Sequence, residues 1–117
     1  MYWAVIHEGV LRHVIGSPEI MYAQLSRLID GADSPDILIQ VLPYSASDHP
    51  GTDGPILLFD FAGAPSSGYT ECNGGGMIVE EPEQVVGLMT SMNLIRAAAL
   101  SLRESRDYIV KIRDGIT

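Results

Sequence analysis

The segment Asp36–Leu42, DILIQVL, limits the folds open to this chain more than any other stretch. Ile37, Ile39 and Val41 alternate with Leu38, Gln40 and Leu42, so both faces of an extended strand are apolar except at Gln40. A strand of that kind must be covered on both sides, which predicts a central position in a sheet that helices pack against. Pro55–Phe61, PILLFDF, is a second strongly apolar strand. Between them lies a polar stretch, Tyr44–Gly54, rich in turn-forming residues. At 117 residues the length fits one domain spanning residues 1–117.

The flanking segments supply the rest of the fold. Trp3–His7 and Val10–Val14 are two short β-prone runs split by Glu8-Gly9, which reads as an N-terminal hairpin. Ser17-Pro18-Glu19 then opens a helix, with Ser17 as N-cap and Pro18 at the first helical position. Met21, Leu25, Leu28 and Ile29 recur at helical spacing, and Gly31 is the expected stop. Tyr69–Cys72 and Met77–Val79 are further strands, with the Gly74–Gly76 run as the turn between them. Pro82 starts a helix whose period lasts to about Ala99, and Ser101, with Glu104 three residues on, caps a final one ending at Gly115. Strands in runs with helices at the ends predict an α+β fold. It has a mostly antiparallel sheet, an N-terminal hairpin, one helix after it, and two C-terminal helices packed on the sheet.

Charge excludes one function class. The chain carries 15 acids against 7 bases, net −8, and from Leu28 to Ile95 it has ten acids and no lysine or arginine. Affinity for a phosphate backbone rests on neutralising phosphates with a basic face, so direct nucleic-acid binding is not expected of this segment. No apolar run is long enough to span a membrane. The N-terminus has no basic flank ahead of an apolar core, so a signal peptide is not expected. A single cysteine, Cys72, fits a reducing compartment and a cytoplasmic location.

The residues offer little catalytic spacing. No HExxH or CxxC occurs, and His7, His13 and His49 have no partners at metal-ligand spacing, so neither metal nor cofactor is expected. Gly63-Ala64-Pro65-Ser66 is not a nucleophile elbow, and the glycine run lacks the Lys-Ser/Thr of a phosphate loop. The most distinctive polar segment is Asp48-His49-Pro50-Gly51-Thr52-Asp53-Gly54, long for a strand connection and dense in titratable groups.

Several pieces then align in order: His7-Glu8-Gly9-Val10-Leu11-Arg12, Gln24-Leu25, Ile39–Pro43, His49–Pro55, Tyr69-Thr70-Glu71 and Arg96–Ser101. Together they resemble the DUF5753 domain of actinobacterial, Streptomyces-type regulators, from about Trp3 to about Ile112. The combination of Gln40-Val41-Leu42-Pro43 with the His49–Pro55 pattern carries most of the likeness. Gly9 stands where relatives often have Ala, and His13 where a second Arg is common. The resemblance implies a domain that follows a helix-turn-helix of the xenobiotic-response-element type, often encoded beside a small DUF397 protein and sometimes described as antitoxin-like. It also implies that DNA is read only by that other part, for which these residues leave no room; the chain is then an excised domain or a natural truncation.

The resemblance brings no catalytic residues. Of the motif positions, Glu8, Arg12, His49, Asp53 and Glu71 are polar enough to line a pocket or an interface. A salt bridge, Glu8–Arg12 or Arg12–Glu71, accounts for two of them without any function. Three readings follow. The first is an effector-sensing or protein-interaction domain of a helix-turn-helix transcription regulator, binding a small molecule or a small DUF397-like partner. The second is a small acid/base enzyme using His49 and Asp53, with Glu71. The third is a dimerisation module built on exposed apolar residues such as Trp3, Met89 or Met92, giving a homodimer.

Overall fold

The computed structural model describes residues 1–46, 49–50, 54–72 and 74–116, without the side chain of Cys72. The chain forms two compact units: Met1–Ser47 with Ala98–Thr117, and Asp48–Ala97.

The first unit contains β1 (Tyr2–His7), α1 (Glu8–Arg12), α2 (Pro18–Ala32), β2 (Ile37–Leu42) and α4 (Leu102–Asp114). β1 and β2 pair in parallel, from Tyr2 opposite Ile37 to His7 opposite Leu42. Parallel neighbours need a long crossover, and α1 with α2 provides it. The expected N-terminal hairpin therefore does not form. Residues 8–12 are a helical turn, and β1 finds its partner more than thirty residues on. Local chemistry explains the difference: the His7 side chain caps the turn by accepting from Gly9 N–H, and Glu8 and Arg12 pair one turn apart. Of the apolar residues in that stretch, Leu11 is buried while Val10 and Val14 stay exposed.

Ser17 caps α2 as expected, its hydroxyl accepting from Ile20 N–H, and the helix runs one residue past Gly31. α2 and α4 pack against each other and against β2. Leu11, Leu25, Ile29, Ile39, Val41, Ile109 and Ile112 form the core.

β2 is covered on both sides, though not as the middle strand of a sheet. On the edge away from β1, Val41 N–H donates to Ser105 Oγ (2.8 Å) and Leu100 N–H donates to Val41 C=O (2.9 Å). The start of α4 thus does the work of a third strand. Gln40, the polar exception in β2, accepts from Trp3 Nε1 at 2.8 Å and donates to Leu100 C=O at 2.9 Å. A buried amide is tolerated because both its ends are paired.

The second unit holds β3 (Ile56–Phe61), β4 (Ala64–Cys72), β5 (Gly75–Val79) and α3 (Pro82–Ala98). The strands form an antiparallel sheet in the order β3-β4-β5, with a register shift between Phe59 and Phe61. The α+β class and the antiparallel sheet hold as expected. The glycine run lies at the β4–β5 connection and enters β5. Leu58, Gly68 and Val79 are aligned across the sheet and so share one face. Leu88 of α3 lies against that face: a Cβ on Gly68 would come within 2.6 Å of its Cδ1. Val79, Val85 and Ile95 are buried. The two last helices therefore serve different strand systems, α3 the antiparallel sheet and α4 the parallel pair. Among the described residues, no single helix is long and apolar enough to cross a membrane.

Candidate functional site

Among the described residues of the first unit, the Glu8 carboxylate accepts three hydrogen bonds. It sits where β1 turns into α1, and the residue is only 4% exposed. Its Oε2 accepts from Arg12 Nε at 2.5 Å and from the Tyr108 hydroxyl at 2.7 Å; its Oε1 accepts from Tyr44 N–H at 2.9 Å. Arg12 also donates to the Tyr108 hydroxyl at 3.2 Å, and its guanidinium stands 5.7 Å from the centre of the Tyr108 ring. Beside them, the rings of His7 and Tyr44 meet edge to face at 5.4 Å. One carboxylate thus joins α1, the chain leaving β2, and α4.

Burial pushes the Glu8 carboxyl up, but four effects oppose it: the hydrogen bonds from Tyr44, Tyr108 and Arg12, and the charge of Arg12. These prevail, and the group is held below the usual carboxylate range. Tyr108 and Glu8 in turn raise the proton affinity of Arg12. A carboxylate with low proton affinity and three donors in place is a poor general base. It is well suited to fixing the position of the groups around it.

Two open grooves adjoin this cluster. One, of about 620 Å³, is bordered by Glu8, Pro43, Tyr44, Glu104, Asp107 and Lys111. The other, of about 480 Å³, has Leu11, Met21 and Ile112 among its apolar lining, with Arg12 and Lys111 supplying charge. Tyr108 lines both. In the first groove Glu8 is already paired with Arg12, and Glu104 and Asp107 outnumber Lys111, so it favours a group that is positively charged or donates hydrogen bonds. Volumes of this order are those of small-molecule sites.

Of the five polar residues singled out in the sequence, the structure brings Glu8 and Arg12 together. The carboxylate that Arg12 bonds is Glu8. Glu71 lies on β4 in the second unit and accepts from the Tyr69 hydroxyl at 3.1 Å. His49 is half-buried ahead of β3. Asp53 lies outside the described residues, as do Asp48, Gly51 and Thr52. Among the described residues, no group of three His, Cys, Asp or Glu side chains is placed to hold a metal ion.

Tyr44 and Tyr108 were absent from the sequence candidates. Tyr44 contributes a backbone N–H, which no side-chain pattern reveals. Tyr108 reads as part of the apolar face of the last helix. Its hydroxyl was the available signal, because a tyrosine on a packed face needs a partner for its O–H.

A family model described as "Domain of unknown function (DUF5753)" matches residues 1–111. No curated protein and no solved structure matches the chain.

Proposed function

The chain belongs to the DUF5753 family, and on that premise we propose that it is the sensing and partner-binding half of a cytoplasmic helix-turn-helix transcription regulator. The observation that carries this reading is the Glu8 cluster at the edge of an acidic groove. A small molecule seated there touches Tyr44, Tyr108 and Lys111, and so touches both ends of a chain segment held together by one carboxylate. Occupancy favours one arrangement of α4 over another by its difference in affinity for the two. That coupling is what a regulator needs to pass a signal to a separate DNA-reading part. The acidic lining selects an effector that carries an amine or another cationic group.

The test uses thermal unfolding against a panel of amine-bearing metabolites, followed by operator binding with a natural protein that joins this chain to a helix-turn-helix. A sensing domain gives a concentration-dependent rise in Tm with at least one compound. The rise is lost in Asp107→Asn, and the same compound changes operator affinity. If every compound that raises Tm does so equally in Asp107→Asn, or none alters operator affinity, the reading fails.

A further inference from the structure

The antiparallel sheet has a second face, opposite the one on which Leu88 lies. Leu57, Tyr69 and Ile78 are aligned across its three strands, and Phe59 follows Leu57 on the same side by strand alternation. Leu57 is 47% exposed, Phe59 44% and Ile78 69%. Four large apolar side chains therefore form one patch across three strands. A soluble domain rarely leaves such a patch uncovered without a use for it.

One end of the patch carries a held carboxylate. Gly76 lies diagonally across from Tyr69, and a Cβ there would come 1.9 Å from the Tyr69 hydroxyl oxygen, so the phenol folds over the glycine. In that position the hydroxyl donates to Glu71, which puts a carboxylate at one end of the patch. The surrounding unit is strongly acidic. Between Asp48 and Ala97 the sequence has seven acids and one arginine, net −6.

From this conjunction we infer that the exposed face of the β3-β4-β5 sheet is a docking surface for a basic, amphipathic segment of a second protein. Apolar side chains of that segment cover Leu57, Phe59, Tyr69 and Ile78, and a lysine or arginine of it meets Glu71. A second copy of this chain is a poor occupant. Each copy carries net −8, so face-to-face pairing sets like charges against each other. The inference gives the partner-binding part of the reading above a surface and a partner chemistry. It is independent of the groove beside Glu8.

The test measures binding of three fluorescent peptides to the chain: one alternating leucine and lysine, one alternating serine and lysine, and one alternating leucine and glutamate. Expected is saturable, salt-sensitive binding of the leucine–lysine peptide, about tenfold or more tighter than either control. The double variant Leu57→Ser/Ile78→Ser changes only exposed side chains and reduces that affinity to the level of the serine–lysine peptide. Asp107→Asn, in the groove, leaves it unchanged, which separates failure here from failure of the effector reading. Equal binding of the serine–lysine peptide means that charge alone acts, and unchanged affinity in the double variant means that another surface acts. Sedimentation showing a dimer that the double variant dissolves means that a second copy covers the face. Each of these three results overturns the inference.

Discussion

The Tyr108 hydroxyl donates to Glu8 Oε2 at 2.7 Å across one hundred residues of sequence. The bond ties the last helix to the first helical turn, and Arg12 donates to both of its partners. Tyr44 N–H holds the other carboxylate oxygen, so the exit of β2 is anchored at the same point. Removing any one donor leaves a buried charge less well solvated, which gives the cluster its consequences for stability.

Glu8 makes stability depend on acid. Its carboxyl is held below the ordinary value of 4.5 in the folded chain, so its contribution is fully present above that value. The contribution is lost as pH falls through the depressed folded value. Urea denaturation of the wild type should show falling stability below pH 4.5, and Glu8→Gln should flatten that part of the profile. At neutral pH the substitution is expected to cost ~1–3 kcal/mol, because it weakens charge-assisted hydrogen bonds in a buried site.

Tyr108→Phe deletes one hydroxyl and keeps the ring. The expected loss is ~1.5–3 kcal/mol, the range for a hydrogen bond to a charged acceptor. Double-mutant analysis with Glu8→Gln should give less than the sum of the single effects, since both changes remove the same bond. Strict additivity would place the cost of Tyr108→Phe elsewhere.

Ser105 is fully buried, and its hydroxyl accepts from Val41 N–H. Ser105→Ala leaves that amide without its acceptor, at an expected cost of ~1–3 kcal/mol. Hydrogen exchange provides the specific readout: the Val41 amide should lose protection more than its neighbours in β2.

The Tyr69 phenol is raised above its ordinary 10.0, first by its hydrogen bond to Glu71, then by burial and the Glu71 charge. Glu71→Gln removes the charge and weakens the bond, so the phenol should ionise at lower pH. Ring NMR shifts followed through alkaline titration check this at the single residue. An unchanged titration would show that the pair does not persist in solution.

Gly68 faces Leu88 with no room for a side chain. Gly68→Ala forces Leu88 or the strand to move, with an expected cost of ~1–3 kcal/mol from overpacking. Hydrogen exchange should show the loss in β3–β5 and α3, with β1 and β2 protected as before.

What was legible in the sequence follows from how local each signal is. Ser17 and Ser101 bond backbone amides three residues ahead, so both helix starts could be read from adjacent residues. The alternation in Ile37–Leu42 and Ile56–Phe61 marks strands whatever their partners. The Glu8–Arg12 pair was legible only as one of two salt bridges, because the choice depended on whether residues 8–12 were strand or helix. Reading them as strand hid the i,i+4 spacing that joins the two charges.

The sequence by itself determined the class of the fold, the positions of five strands (β4 only from Tyr69 onward) and three of the helices, and the acid-rich middle that argues against a phosphate backbone. Local periodicity, capping and net charge are properties of neighbouring residues and of sums. The tertiary structure decided which strand pairs with which, that Ser105 and Leu100 close the edge of β2, and that Glu8 meets Tyr108 and the Tyr44 amide. The bonds made by Ser105, Leu100, Tyr44 and Tyr108 join groups 36 to 100 residues apart, and a pattern read within a window of a few residues carries no record of them. The same holds for the open face of the second sheet, because Leu57, Phe59, Tyr69 and Ile78 become one surface only when three strands are in register.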